Sequence, residues 1–133
     1  MDKKVREKLH MIKFTIKVTP VTKKNHQQLI YNKSTGRPMI IPSPQYRQYE
    51  KDASWFLPKG LTIDYPVNVK AVFYMPTKRR VDLVNLQEAL LDVLVKYGIL
   101  SDDNSNIVYS MDGSYVDYDK ANPRTEVEIW EIK

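Results

Sequence analysis

Between residues 78 and 103 the chain sets four aspartates, Asp82, Asp92, Asp102 and Asp103, behind a basic run of Lys78, Arg79 and Arg80. Carboxylate oxygens suit a hard divalent cation such as Mg²⁺, and the planar fork of arginine suits phosphate. Carboxylates beside phosphate-holding arginines are the ingredients of metal-assisted phosphodiester hydrolysis. Each residue taken singly also has an ordinary reading. Asp82 suits a helix N-cap. Asp92 has Lys96 at i+4, a favourable ion-pair orientation on a helix. Asp102 and Asp103 suit a solvated turn. It is the set, bracketing one helix, that points to a metal.

The element that must position them is a helix expected from about residue 83 to 97 and stopped by Gly98. Leu86, Leu90, Val93, Leu94 and Tyr97 share one face, the core stripe, bordered by Asn85, Asp92 and Lys96 with small Ala89 between them. Val84, Leu91 and Val95 form a second apolar stripe roughly opposite. A helix apolar on two faces is buried on both or meets a partner, so these three residues are the expected contact of a homodimer. On one continuous helix Asp82 and Asp92 lie about 15 Å apart, too far to share one ion. From Gly98 an extended chain carries Asp103 at most about 20 Å, easily back to Asp92 and only just to Asp82. A partner chain is a third way to complete a site.

Around that helix the sequence predicts an α+β domain: a mixed sheet of about five strands packed by two helices, over residues 11–133, after a charged extension at 1–10. Phe14, Ile16 and Val18 alternate with polar residues up to Pro20, a half-buried strand. Residues 29–31 and 39–41 flank 32–37, a hairpin or mobile loop. Ser43 and Pro44 open a helix that runs to about residue 56. Val67, Val69, Ala71 and Phe73 mark a strand ended by Pro76. Residues 107–109 and 115–118 read as strands, with Asp112-Gly113 as a hairpin turn between them. Val127, Ile129 and Ile132 close the chain as a last strand.

Composition narrows the function. The 133 residues contain no cysteine, which excludes disulfides, thiolate zinc sites and cysteine nucleophiles. His10 and His26 lack spaced partners, and no glycine-rich phosphate loop occurs, so a nucleotide cofactor is not expected. The apolar runs are too short to span a membrane, and nothing at the start reads as a signal peptide, so an intracellular, cytoplasmic protein is expected. Residues 1–51 carry 12 basic and 3 acidic side chains, whereas 52–133 carry 9 basic and 13 acidic. A basic first half fits a polyanion surface beside a carboxylate-rich site. Lys23, Lys24, Lys33, Arg37 and Arg47, interleaved with Tyr31, Tyr46 and Tyr49, are the expected DNA contacts, joined by Lys78, Arg79 and Arg80. The tyrosines are expected mostly to pack.

The ordered set Arg79, Arg80, Asp82, Asn85, Leu86, Ala89, Asp92, Gly98, Asp102 and Asp103 resembles the RusA family of Holliday junction resolvases, many of them carried by phages and prophages. Pro20 to Lys24 and Gly36-Arg37-Pro38 are similar to its basic N-terminal region, and the run from Tyr46 to Glu50 to its first helix. The resemblance covers about residues 11–130. Two positions depart from the family pattern: Val84 stands where a second aspartate is expected, and Glu88 where a lysine is.

The resemblance implies a Mg²⁺-dependent endonuclease, with Mn²⁺ as substitute, acting on branched DNA as a homodimer and leaving 5′-phosphate and 3′-hydroxyl ends. Asp82, Asp103 and Arg80 are then the expected catalytic residues, and Asp82, Asp92, Asp102 and Asp103 the candidate ligands. A DNA-binding module without catalysis, its metal site lost at Val84, is the competing expectation. A small interaction protein whose basic arm serves only solubility is a third.

Overall fold

The computed structural model describes residues 11–23 and 27–132. The expected extension at 1–10, Lys24 and His26 lie outside them. Among the described residues nine elements follow in order. Strand β1 is Ile12–Ile16, β2 Gln27–Tyr31 and β3 Pro38–Pro42, then helix α1 Pro44–Ser54. Strand β4 is Val67–Met75, helix α2 Leu83–Lys96, β5 Val108–Ser110, β6 Tyr115–Tyr118 and β7 Arg124–Glu131.

The expected α+β architecture is the one found: a mixed five-stranded sheet with two helices. β7 lies between β1 and β4, antiparallel to both, while β5 and β6 run parallel to β4. A separate two-stranded sheet pairs β2 with β3. Side chains alternate across a pleated sheet, so one face of β4 carries Val67, Val69, Ala71 and Phe73, all at most 1% exposed. Ile16, Val127 and Ile129 extend that face along β1 and β7. It packs against Tyr46, Tyr49 and Ala53 of α1 and Leu86, Leu90, Val93 and Leu94 of α2. Each buried leucine contributes roughly 1.5–3 kcal/mol. The opposite face is ionic. Lys13 meets its register partner Glu128 at 3.5 Å, and Arg124 stacks 3.9 Å over the Tyr74 ring while pairing with Asp119 and Glu126.

Local signals explain the helix ends. Ser43 accepts a hydrogen bond from the Tyr46 N–H, with Pro44 in the first turn where a missing N–H costs nothing. At the end of α2, Ile99 N–H reaches the Leu94 carbonyl and Gly98 N–H the Val95 carbonyl, with Gly98 at φ +79°. That is a Schellman closure, and it needs a residue that tolerates the left-handed region. Ala89 has its reason here too: the buried Tyr46 hydroxyl donates to the Ala89 carbonyl at 3.0 Å, a close approach that a small residue permits.

The expected hairpin around Asp112-Gly113 does not form. β5 and β6 both pair with β4, at Val67–Asn68 and at Val72–Met75 respectively, and lie end to end along its edge. The turn is a jog fixed by buried Asn68. Its Oδ1 accepts from the Ser110 hydroxyl and the Asp112 N–H, and its Nδ2 donates to the Asp112 carbonyl. A side chain of β4 therefore supplies the partners that a facing hairpin strand would have supplied.

Candidate active site

The order β4, α2, β5 with parallel strands is a crossover unit, and it decides where the carboxylates go. A crossover helix runs back along the sheet, so the strand-to-helix loop and the helix-to-strand loop lie at opposite ends of the strands. Asp82 stands in the first loop, after β4 ends at Met75. Asp102 and Asp103 stand in the second. The Ser101 N–H is held by the Ile63 carbonyl, and the Ile107 carbonyl accepts from the Val67 N–H at the start of β4. The 14 residues of α2 separate the two loops by about 21 Å. Among the described residues, no three histidine or carboxylate side chains converge tightly enough to hold a metal ion.

Each carboxylate has a distinct setting. Asp82 occupies the N-cap position of α2, yet its side chain caps nothing; it accepts from the Asn85 side-chain amide at 3.2 Å and stays exposed. The ordinary reading of Asp82 thus covers its place and not its side chain. Asp92 pairs with Lys23 at 3.1 Å, and Lys96 with Glu50 of α1 at 3.3 Å, so the expected Asp92–Lys96 pair is replaced by two long-range ones. The physical reason is that each finds a partly buried counter-charge across a packed boundary, where attraction is less screened than along an open helix face. Asp102 accepts from the Asp103 N–H and the Asn104 amide within an exposed turn.

Two of the basic residues, Arg79 and Arg80, stand just before Asp82 in the loop that leads into α2. Thr19, Thr22, Gln45, Arg79 and Arg80 line a cleft of about 420 Å³ between the segment after β1, the start of α1 and the loop before α2. Arg79 and Arg80 are exposed, and no ion pair among the described residues engages either. Lys78 lies 5.4 Å over the Tyr118 ring. Lys23 lies 5.9 Å from the Tyr46 ring as well as on Asp92, so its charge is shared with the protein. Lys33 and Arg37 sit exposed on the turn joining β2 to β3, and Arg47 is exposed on α1. Tyr46 and Tyr49 pack as expected, whereas Tyr31 is 67% exposed. Burial raises the Tyr46 phenol far above the ordinary tyrosine range, with the Glu50 and Asp92 charges adding to it, so it acts only as a neutral donor.

Of the expected contact stripe, Val84 is 69% exposed, while Leu91 and Val95 are half-buried against the core's flank. Thr22 and Gln45 were not expected in the cleft. Only the similarity of Pro20 to Lys24 to a basic family segment pointed near them. The larger cleft of about 630 Å³ between Trp55 and Tyr97 holds no carboxylate, and Lys59 is its one charged residue.

Residues 17–130 match the family Endodeoxyribonuclease RusA. A curated relative, the "Crossover junction endodeoxyribonuclease RusA" of Aquifex aeolicus (strain VF5), is 33% identical over 88 residues. That alignment covers 64% of this chain and 66% of the relative, just under two thirds of its length. The chain belongs to the RusA family of endodeoxyribonucleases. No described helix is long and apolar enough to cross a membrane.

Proposed function

We propose that the protein is a divalent-metal-dependent, structure-selective endodeoxyribonuclease that resolves Holliday junctions in recombination and repair. The observation that carries this reading is the family match over residues 17–130, which takes in both carboxylate loops and the arginine-lined cleft. The name of the Aquifex relative supports a crossover junction as the substrate. Arg79 and Arg80 would hold the phosphate chain and offset charge as it builds on the phosphate in the transition state, with Lys78 beside them. Asp82 and Asp103, with Asp92 or Asp102, are the ligand type that Mg²⁺ prefers and that Mn²⁺ accepts.

The roughly 21 Å of α2 between the Asp82 loop and the Asp102–Asp103 loop supports a site shared across a twofold dimer rather than one built within a single chain. Two α2 helices related by a twofold axis across them run antiparallel. The Asp82 end of one then lies beside the Asp102–Asp103 end of the other. Val84, exposed beside Asp82, and the flank made by Leu91 and Val95 are the apolar surface such a contact would cover. A four-way junction, itself close to twofold symmetric, needs two incisions.

Val84 favours one competing reading, a junction-binding protein without catalysis, because valine cannot replace a ligating aspartate. Cleavage of a synthetic four-way junction with Mg²⁺ or Mn²⁺, abolished by chelator, is the expected result. Salt-sensitive junction binding with no cleavage under any divalent cation would establish the competing reading.

A further inference from the structure

The β2–β3 hairpin is the part of the molecule that neither the sheet nor the candidate active site explains. It forms its own two-stranded sheet, in register from Gln27 opposite Pro42 to Tyr31 opposite Pro38. Its tip is built, not loose. Asn32 N–H bonds the Arg37 carbonyl and Gly36 N–H the Asn32 carbonyl, while Asn32 Oδ1 accepts from the Ser34 and Thr35 N–H groups. Gly36, at φ +68°, closes the turn. These bonds hold exposed Lys33 and Arg37 at set places on the tip.

Tyr31 pairs with Pro38, and Ile40 follows Pro38 by two residues, so Tyr31 and Ile40 share one face of the ribbon. They are 67% and 68% exposed. An isolated two-stranded ribbon is marginal in water, and an uncovered apolar face makes it more so. The charge around it narrows what covers it. From Lys8 to Tyr49 the sequence holds eight lysines and arginines and no acidic residue. A partner that offers flat apolar surfaces together with dense negative charge is a nucleic acid whose bases are unstacked. A duplex hides those faces; a branch point exposes them.

We propose that the β2–β3 hairpin is a wedge that recognises the branch point, Tyr31 and Ile40 lying against unstacked bases while Lys33 and Arg37 hold the flanking phosphates. This rests on the branched-DNA reading above. On its C-terminal side the hairpin runs straight into Ser43, the cap of α1, whose neighbour but one, Gln45, lines the arginine-lined cleft; four residues before β2, Lys23 is fixed on Asp92 next to Thr22 of that cleft. A wedge held there would select the structure, and the carboxylates would cut it.

The test places 2-aminopurine next to the crossover of a four-way junction and follows its fluorescence as protein binds without divalent metal. Wild type should raise the signal several-fold. The double variant Tyr31→Ala with Ile40→Ser should bind linear duplex as before, lose the rise, and lose about tenfold of its preference for junctions. Tyr31→Trp alone should keep both, which separates loss of the wedge from loss of the hairpin fold. Lys33→Ala with Arg37→Ala should lower the salt slope of binding by about two per chain. A rise retained in the double variant overturns the wedge. So does a double variant that falls from dimer to monomer in sedimentation while still unstacking the bases, since a second copy of the chain would then be what covers the face. Wild type that cleaves junctions without any rise overturns the wedge and leaves the nuclease reading standing; wild type that neither binds nor cleaves them overturns both.

Discussion

The Lys23 ammonium lies 3.1 Å from the Asp92 carboxylate, joining residues 69 apart in sequence. The pair pins the segment after β1 to the middle of α2, and both side chains are about one-third exposed. It leaves Asp92 neutralised by the protein itself and sets that carboxylate apart from Asp82 and Asp103. Asp92→Asn should therefore lower cleavage only modestly, while Asp82→Asn and Asp103→Asn abolish it and leave junction binding intact or tighter. Cleavage rates measured beside binding isotherms for the three variants check this. Wild-type rates in the Asp82 or Asp103 variant would refute the site.

Arg79 and Arg80 differ from Lys23 in having no acidic partner among the described residues. Alanine at both should weaken binding to every DNA shape and flatten the dependence of log K on log salt by about two per chain. Lys23→Ala should change that slope less, because its charge is already shared with Asp92. Titrations at several salt concentrations separate the two behaviours.

The buried Tyr46 hydroxyl gives a stability prediction. Tyr46→Phe removes its bond to the Ala89 carbonyl and should cost about 1 kcal/mol at neutral pH. Burial raises the phenol pKa in the folded chain above its unfolded value near 10, so the unfolded chain loses this proton first. Its contribution is full below about pH 10 and falls as pH rises beyond that. Denaturant midpoints should drop above pH 10 less steeply for Tyr46→Phe than for wild type.

Asn68 is the second buried polar anchor. Asn68→Ala strands the Asp112 backbone groups and the Ser110 hydroxyl and should cost about 1–3 kcal/mol. The loss should concentrate in faster amide exchange across β5 and β6, measured against the core strands.

What was legible in the sequence was local. Ser43-Pro44, Gly98 and the Leu86–Leu94 spacing placed both helices within a residue or two, because caps and periodicity act over single turns. The alternation along β4 and β7 gave the buried face. Pairing was not legible. Nothing near Asp112-Gly113 says that β5 and β6 both prefer β4 to each other, because Asn68, more than forty residues upstream, decides it. The partners of Asp92 and Lys96 lie 69 and 46 residues away, beyond any helical-wheel argument. The chemistry of the carboxylates was legible from residue type, but their separation appeared only once α2 was seen to be a crossover between parallel strands.

The most direct test of the account is to mix two inactive proteins, Asp82→Asn and Asp103→Asn, and let their subunits exchange. If Asp82 of one chain works with Asp103 of the other, each mixed dimer contains one site with both changes and one site with neither. Nicking of a four-way junction in Mg²⁺ should then return, at about a quarter of the wild-type rate when half the dimers are mixed and sites act independently. If both aspartates serve within one chain, every site in the mixture carries one change. A mixture that exchanges subunits and stays inactive would contradict the shared site.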